Sequence, residues 1–174
     1  MDGQYGFYFD SSRCIQCRTC ELACKSTRGV EPGVRWRQVL ETWSGTYPHV
    51  TRTFFSLSCM HCEKPACLAA CPVNAITKRP ADGLVLVDTG KCNGCRDCLE
   101  ACPYHVPQFG KDGKMQKCDY CAGAGGPPQC VQACPTDAIA SGLLVDLLKS
   151  PKSKHLKKMD GASDPSMVIP IKTD

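Results

Sequence analysis

The sequence predicts an α+β fold in which one small module is nested inside another, and three observations predict it. Sixteen cysteines in 174 residues fall into four groups with none left over. The segments around them alternate between two half-modules, strand-then-cysteines and cysteines-then-strand. The bulky aliphatic and aromatic residues are too few and too scattered for a large ordinary core, so material bound to the sulfurs is expected to replace part of it.

The groups justify themselves in chain order. The first is Cys14, Cys17, Cys20 and Cys24, in CIQCRTCELAC. The second is Cys59, Cys62, Cys67 and Cys71, in CMHCEKPACLAACP. The third is Cys92, Cys95, Cys98 and Cys102, in CNGCRDCLEACP. The fourth is Cys118, Cys121, Cys130 and Cys134, in CDYCAGAGGPPQCVQACP. The first and third read C-x2-C-x2-C-x3-C. The second and fourth keep the ends and lengthen the middle gap, the fourth through a glycine- and proline-rich stretch that reads as a surface loop.

Three kinds of chemistry use thiols this dense. A disulfide scaffold belongs to an oxidising compartment. The chain opens MDGQYGFYFD, acidic at once, with no basic stretch followed by an apolar one. The best apolar run, GLLVDLLKS, is far too short to span a membrane. The expectation is therefore a soluble cytoplasmic protein, reaching a membrane or an exported state only through a partner, and disulfides are out of place there. Zinc takes paired C-x2-C knuckles, usually well separated in sequence. It does not explain a third cysteine two residues on, a fourth three further, and then proline.

That syntax is the bacterial ferredoxin run, in which three close sulfurs grip one [4Fe-4S] cluster and the fourth ligates its neighbour. Two-residue gaps let a tight loop aim three sulfurs and several N–H groups at one cubane. The three-residue gap begins a helix, which turns the last sulfur away. Proline ends it at Pro72, Pro103 and Pro135, and Lys25 stands in that place after the first group.

The repeats say which groups belong together. GFYFDSSRCIQCRTCELAC matches LVLVDTGKCNGCRDCLEAC, each with an aspartate (Asp10, Asp88) four residues before the first cysteine. CPVNAIT matches CPTDAIA after the second and fourth groups. Groups two and three are joined by VNAITKRPADGLVLVDTG, a strand, turn and strand. By analogy the strand at YGFYF is expected to pair with the one at AIASG, closing a module from groups one and four around the other. Pairing one with two and three with four would leave the hairpin bridging two modules.

The predicted fold is thus α+β: two nested bacterial-type two-[4Fe-4S] ferredoxin modules with short β-hairpins and short helices, plus a C-terminal tail. The outer module is 1–28 and 103–145, a β-hairpin insertion is 29–58, the inner module is 59–102, and 146–174 is a tail, partner-binding or flexible. Exchange of the fourth cysteine then gives four ligand sets: Cys14, Cys17, Cys20 and Cys134; Cys118, Cys121, Cys130 and Cys24; Cys59, Cys62, Cys67 and Cys102; Cys92, Cys95, Cys98 and Cys71.

In RWRQVLETWSGTYPHVTRTFFSLS, Val34, Trp36 and Gln38 alternate with Arg35 and Arg37, and SGTYP supplies the turn of a hairpin. Trp36 and Trp43 read as packing residues ahead of lining an electron path. Arg18, Arg96, Lys25 and Lys117 sit beside cysteines. They either raise cluster potentials by stabilising the reduced state or are solvated surface charge. His61 and His105 read as packing residues near the clusters, not ligands. In the tail a short helix is followed by lysines, which suit an acidic partner, an anionic membrane or plain solvent. SMVIPIK reads as a strand in need of a partner, on another subunit.

These motifs, with RWRQVLETW, LSCMHCEKPAC, CPYHVPQF, MQKCDYC and MVIPIK, resemble the iron–sulfur electron-transfer subunit of the dimethyl sulfoxide reductase, formate dehydrogenase and nitrate reductase type. The likeness covers nearly the whole chain. It implies four [4Fe-4S] clusters, since all positions of the third group are cysteine. It also implies a large catalytic subunit carrying a molybdenum or tungsten pterin, often with a further redox or membrane-anchor subunit; a tungsten aldehyde oxidoreductase-type partner is a second option.

The function expected is non-catalytic relay of single electrons. The alternative is a free-standing polyferredoxin carrier, able to self-associate into a longer wire. The formal charge of +4 counts each cysteine as neutral. Four oxidised clusters of about −2 each bring it to about −4, so nucleic acid is not an expected partner.

Overall fold

The computed structural model describes residues 3–149 and 156–170. The chain enters through β1 (Tyr5–Phe9), which ends at Asp10 just before the first cysteine loop. β1 lies between two neighbours of one four-stranded sheet, so both its edges are paired. Phe7 and Phe9 point to the main core, and Tyr8, on the opposite face, packs with Leu144, Leu147 and Val168.

The four cysteine runs each start a helix. α1 (Thr19–Thr27) follows the first, α2 (Ala66–Ala69) the second, α3 (Asp97–Glu100) the third and α4 (Gln129–Gln132) the fourth. The last three are single turns, because proline after the final cysteine has no N–H and clashes with a continuing helix. Where Lys25 replaces that proline, α1 runs on to Thr27. The Lys25 ammonium then donates to the carbonyls of Glu31 and Val34, at 2.6 and 2.8 Å, and holds the following loop. Beyond each of the three prolines the backbone turns left-handed: Asn74, His105 and Asp137 have φ of 51°, 47° and 50°. Asn, Asp and His are the side chains that tolerate this best.

β2 (Arg37–Thr46) and β3 (His49–Ser58) form a regular antiparallel hairpin from Arg37↔Ser58 to Thr46↔His49. Its base is buried through Arg37, Val39, Ser56 and Ser58, whereas residues 40–52 are exposed. β4 (Ile76–Lys78) and β5 (Val85–Val87) are the hairpin expected between the second and third groups, paired from Ile76↔Val87 to Lys78↔Val85. A further small hairpin, β6 (Gln108–Phe109) with β7 (Met115–Gln116), was not anticipated; its strands are two residues long, too short to show a period.

The strand at AIASG becomes β8 (Ile139–Leu143) and pairs antiparallel with β1 from Tyr5↔Leu143 to Phe9↔Ile139. It runs directly into α5 (Leu144–Leu148). β9 (Leu156–Lys158) and β10 (Met167–Pro170) complete the sheet in the order β8-β1-β10-β9. This corrects the expectation for SMVIPIK. Its described part is not a strand awaiting another subunit: β10 pairs parallel with β1, with Phe7↔Met167 and Tyr8↔Val168 in register. The approach needs Gly6, where a Cβ would meet the Ser166 carbonyl oxygen at 2.4 Å. Lys152 and Lys154 of the lysine-rich stretch lie outside the described residues.

Candidate metal centres

Each short helix spans two sulfur sites. Cys20 and Cys24 on α1 are four residues apart, as are Cys67 and Cys71 around α2, Cys98 and Cys102 around α3, and Cys130 and Cys134 around α4. One helical turn separates such positions by about 6 Å along the axis. α1 packs on α4 and α2 on α3, so the cysteines of distant groups meet.

The meeting is direct in two cavities. Cys14, Cys17, Cys20 and Cys134 line one cavity with Ser56 and Ile139; it encloses about 310 Å³, including the part open to solvent. Cys71, Cys92, Cys95 and Cys98 line a second with Phe109 and Met115, of about 300 Å³ by the same measure. Arg18 lines the first and Arg96 the second, each at the residue before its helix with φ of 59° and 73°. Arg96 also lies 5.0 Å over the Phe109 ring.

Of the other eight cysteines, Cys24, Cys59, Cys102, Cys118, Cys121 and Cys130 are buried and Cys62 and Cys67 partly so. The Cys24 thiol is pushed up to about 12, by burial first and then by its neighbours Cys130 and Cys121. Burial likewise pushes Cys118 up, with Cys130, Cys59 and Cys24 around it. The Cys67 thiol is raised to about 12 by burial, then by Cys59, Cys102 and Cys62, while the Lys117 cation works the other way. Cys118 and Cys59 belong to the same buried cluster. Cys134 ends up lowered: burial raises its thiol, but the backbone N–H and hydroxyl of Thr136 and the N–H groups of Ile139 and Ala138 outweigh it. Those donors stabilise a thiolate.

Further donors reach sulfur elsewhere. The backbone N–H groups of Ala75, Met115 and Tyr120 donate to Cys71, Cys92 and Cys118 at 3.3, 3.4 and 3.4 Å. The Thr19 hydroxyl donates to the Cys17 sulfur, and the Cys62 thiol donates to the Ser163 hydroxyl oxygen, both at 3.4 Å. Ser163 comes from the segment before β10, so the C-terminal segment helps build the second cysteine loop. It does so again where Ser166 Oγ donates to the His61 carbonyl at 3.0 Å, and where Lys158 pairs with Glu63 and Asp164.

The two histidines separate. His61 is fully buried and accepts the Val85 N–H on Nδ1 at 3.0 Å. Burial, with Lys117 and Lys78 behind it, holds its imidazole well below the ordinary range. It is therefore neutral and carries its proton on Nε2. His105 is exposed in its left-handed turn, which corrects the expectation that it packs near a cluster. Lys117 is buried and donates to the carbonyls of Val85 and Cys118, the latter at 3.2 Å. Trp36 packs with its Nε1 on Gln116 at 3.3 Å, and Trp43 stands exposed under Arg52. Sequence reading missed Arg37. In a strand alternating with Trp36 and Gln38 an arginine reads as outward, yet Arg37 is only 2% exposed.

The donor set fits a polynuclear iron–sulfur centre. No cysteine is in a disulfide. Among the described residues no three His, Cys, Asp or Glu side chains close on a single ion, as zinc requires at about 2.3 Å from each sulfur. A cubane spreads its thiolates over separate irons. Arg37 Nε and Nη2, His61 Nε2 and Ser58 Oγ are buried without a partner among the described residues. Inorganic sulfide and thiolate are acceptors that such donors suit.

These features define an iron–sulfur protein that holds [4Fe-4S] clusters. Comparison with known proteins narrows the class. A family model described as "4Fe-4S dicluster domain" matches residues 50–144, covering the second, third and fourth cysteine groups. The B subunit of anaerobic dimethyl sulfoxide reductase from Escherichia coli K12 is 44% identical over 161 residues, 86% of this protein and 78% of that subunit. YnfG, a probable anaerobic dimethyl sulfoxide reductase subunit of the same strain, is 43% identical over 167 residues, 89% and 79% of the two proteins. The thiosulfate reductase electron transfer subunit PhsB of Salmonella typhi is 39% identical over 153 residues, 83% and 78%. The chain belongs to this family of iron–sulfur electron-transfer subunits of the dimethyl sulfoxide reductase type. No helix among the described residues is long and apolar enough to cross a membrane.

Proposed function

We propose that the chain is a non-catalytic subunit that relays single electrons through four [4Fe-4S] clusters to or from a large molybdenum- or tungsten-pterin catalytic subunit. The four ligand sets are Cys14, Cys17, Cys20 and Cys134; Cys24, Cys118, Cys121 and Cys130; Cys59, Cys62, Cys67 and Cys102; and Cys71, Cys92, Cys95 and Cys98. The first two sets make the outer module and the last two the inner one. When bound, such clusters take up and release one electron each without moving a proton on a substrate.

The observation that carries this reading is the gathering of cysteines from distant groups: Cys134 joins the first group in one cavity and Cys71 joins the third in another. Cys17 and Cys95 are the exposed cysteines, one in each of these cavities, which suits exchange with partners. Six of the other eight cysteines are buried, and the protein's work there is to hold sulfurs in place and keep water out. The helices do the holding: each fixes one sulfur of one set and one of the next. The Thr19 hydroxyl and the backbone N–H groups of Ala75, Met115 and Tyr120 donate to cysteine sulfurs and favour the more negative, reduced state. The names of the relatives, reductase subunits and an electron transfer subunit, support the catalytic partner.

The test is anaerobic isolation of the native complex with metal and cofactor analysis. About sixteen iron atoms per chain are expected, together with a co-purifying large protein that contains molybdenum or tungsten. A colourless chain, or one with far less iron, ends the cluster assignment; a loaded chain that isolates as a monomer favours the free-standing carrier.

A further inference from the structure

Arg37 opens β2 at the base of the long hairpin and is, with Lys117, one of two buried cations among the described residues. It is 2% exposed, with its guanidinium carbon 4.7 Å from the centre of the Phe7 ring. Nη1 donates to the Ser56 carbonyl at 3.2 Å and to the Ser56 hydroxyl at 3.0 Å. That hydroxyl lies 3.6 Å from the Cys20 sulfur. Nε and Nη2 have no partner among the described residues. Among the described residues no carboxylate pairs with Arg37.

A buried charge without a counter-charge is expensive, so the negative charge must come from elsewhere. The neighbours able to supply it are sulfurs. Burial disfavours the charged guanidinium, but Cys130, Cys118, Cys20 and Cys24 outweigh it and hold Arg37 above its usual range. Cys20 belongs to one proposed ligand set, and Cys24, Cys118 and Cys130 to the next. α1 brings them together, since it carries Cys20 and Cys24 on successive turns.

We propose that Arg37 is a shared potential-setting residue, one fixed positive charge that raises the reduction potentials of both centres of the outer module. The inference rests on the ligand sets given above. Adding an electron to either centre adds negative charge, and a cation in a poorly screened interior stabilises it. The chain Arg37 N–H to Ser56 O–H to Cys20 sulfur adds a polarised hydrogen bond on one side. The guanidinium is protonated at every working pH, so this contribution does not switch off. Lys117, the other buried cation, donates to the carbonyls of Val85 and Cys118 and acts on Cys67 of the inner module. Arg37 touches no reacting group; it is a positioning charge.

The experiment compares the anaerobically reconstituted full chain with Arg37→Met and Arg37→Lys, by iron content and redox titration followed by electron paramagnetic resonance. In Arg37→Met two of the four midpoint potentials are expected to move to more negative values while the other two stay. Arg37→Lys, which keeps the charge and loses the fork, is expected to hold both near the wild-type values. An iron-replete Met variant with all four potentials unchanged, or all four moved alike, overturns the proposal. Should Arg37→Met not load, Arg37→Lys decides. Wild-type potentials support the shared charge; lowered outer potentials, or failure to load, overturn it and leave Arg37 as a shape-dependent staple between β1 and β3. A wild-type chain far short of about sixteen irons overturns the ligand assignment and this inference together, and the iron count alone tells that case apart.

Discussion

The cavity lined by Cys14, Cys17, Cys20 and Cys134 and the one lined by Cys71, Cys92, Cys95 and Cys98 enclose about 310 and 300 Å³. Each has an arginine in a left-handed turn before its helix. Their supports differ. The inner region is closed by β4 and β5, a short local hairpin beside a small cluster of Ile76, Val85 and Met115. The outer region is closed by β1 and β8, from opposite ends of the chain, and needs β10, Phe7, Tyr8 and Phe9 to complete it. Identical local spacing thus makes matching sulfur sites, while the cost of bringing their ends together falls unequally. Closing a longer loop costs more chain entropy, though only logarithmically. The aromatic burial around β1 offsets that cost.

The largest effect that tests this contrast comes from the sulfurs themselves. Structural metal centres contribute on the order of 10 kcal/mol to small domains, comparable with the whole stability of a domain. Cys24→Ala removes a buried sulfur of the long-range region and is expected to abolish the folded, iron-containing chain. Cys95→Ala removes an exposed sulfur of the locally closed region and is expected to leave a folded chain with less iron. Circular dichroism and iron analysis read both. Equal damage from the two breaks the comparison.

A medium effect sharpens it. Met167 and Met115 are both essentially buried, one in the outer sheet and one against the Cys92 cavity. Replacing either with alanine is expected to cost about 2–5 kcal/mol in urea unfolding under anaerobic conditions. Met115→Ala also opens the cavity beside Cys92, so iron is expected to be lost faster from it in air, as followed by absorbance. If Met167→Ala bleaches as fast, the two cores are not separate supports.

The smallest effect concerns the hairpin, whose base belongs to the outer region and whose far end belongs to neither. Trp43 is 61% exposed there. Trp43→Ala is expected to change stability by no more than about 0.5 kcal/mol, with iron content unchanged. A larger loss in thermal melts of the isolated chain would mean that the far end is packed.

Much of the site was legible because it is local. The cysteine spacing and the prolines that stop α2, α3 and α4 each act within a few residues of themselves. The hairpin between groups two and three was legible for the same reason, and the β1–β8 pairing followed from repetition. The sequence did not reveal where the C-terminal strand binds. A short apolar strand carries no address, and its place beside β1 depends on Gly6 leaving room. His105 misled because a polar residue between Cys-Pro and Val-Pro looks chemical, whereas its turn only needs a residue that accepts positive φ.

What the sequence determined alone is the cysteine syntax, the class of cluster it suits and the alternation of half-modules, because backbone reach over two or three residues leaves few ways to aim a sulfur. What only the tertiary structure decided is the electrostatic setting: Arg37 inward under Phe7, Lys117 and His61 buried, Ser163 on Cys62. The reason is that a buried charge is tolerated only when partners from distant segments surround it. Around Arg37 those partners are Ser56 and sulfurs of the first and fourth cysteine groups, which no stretch of neighbouring residues contains.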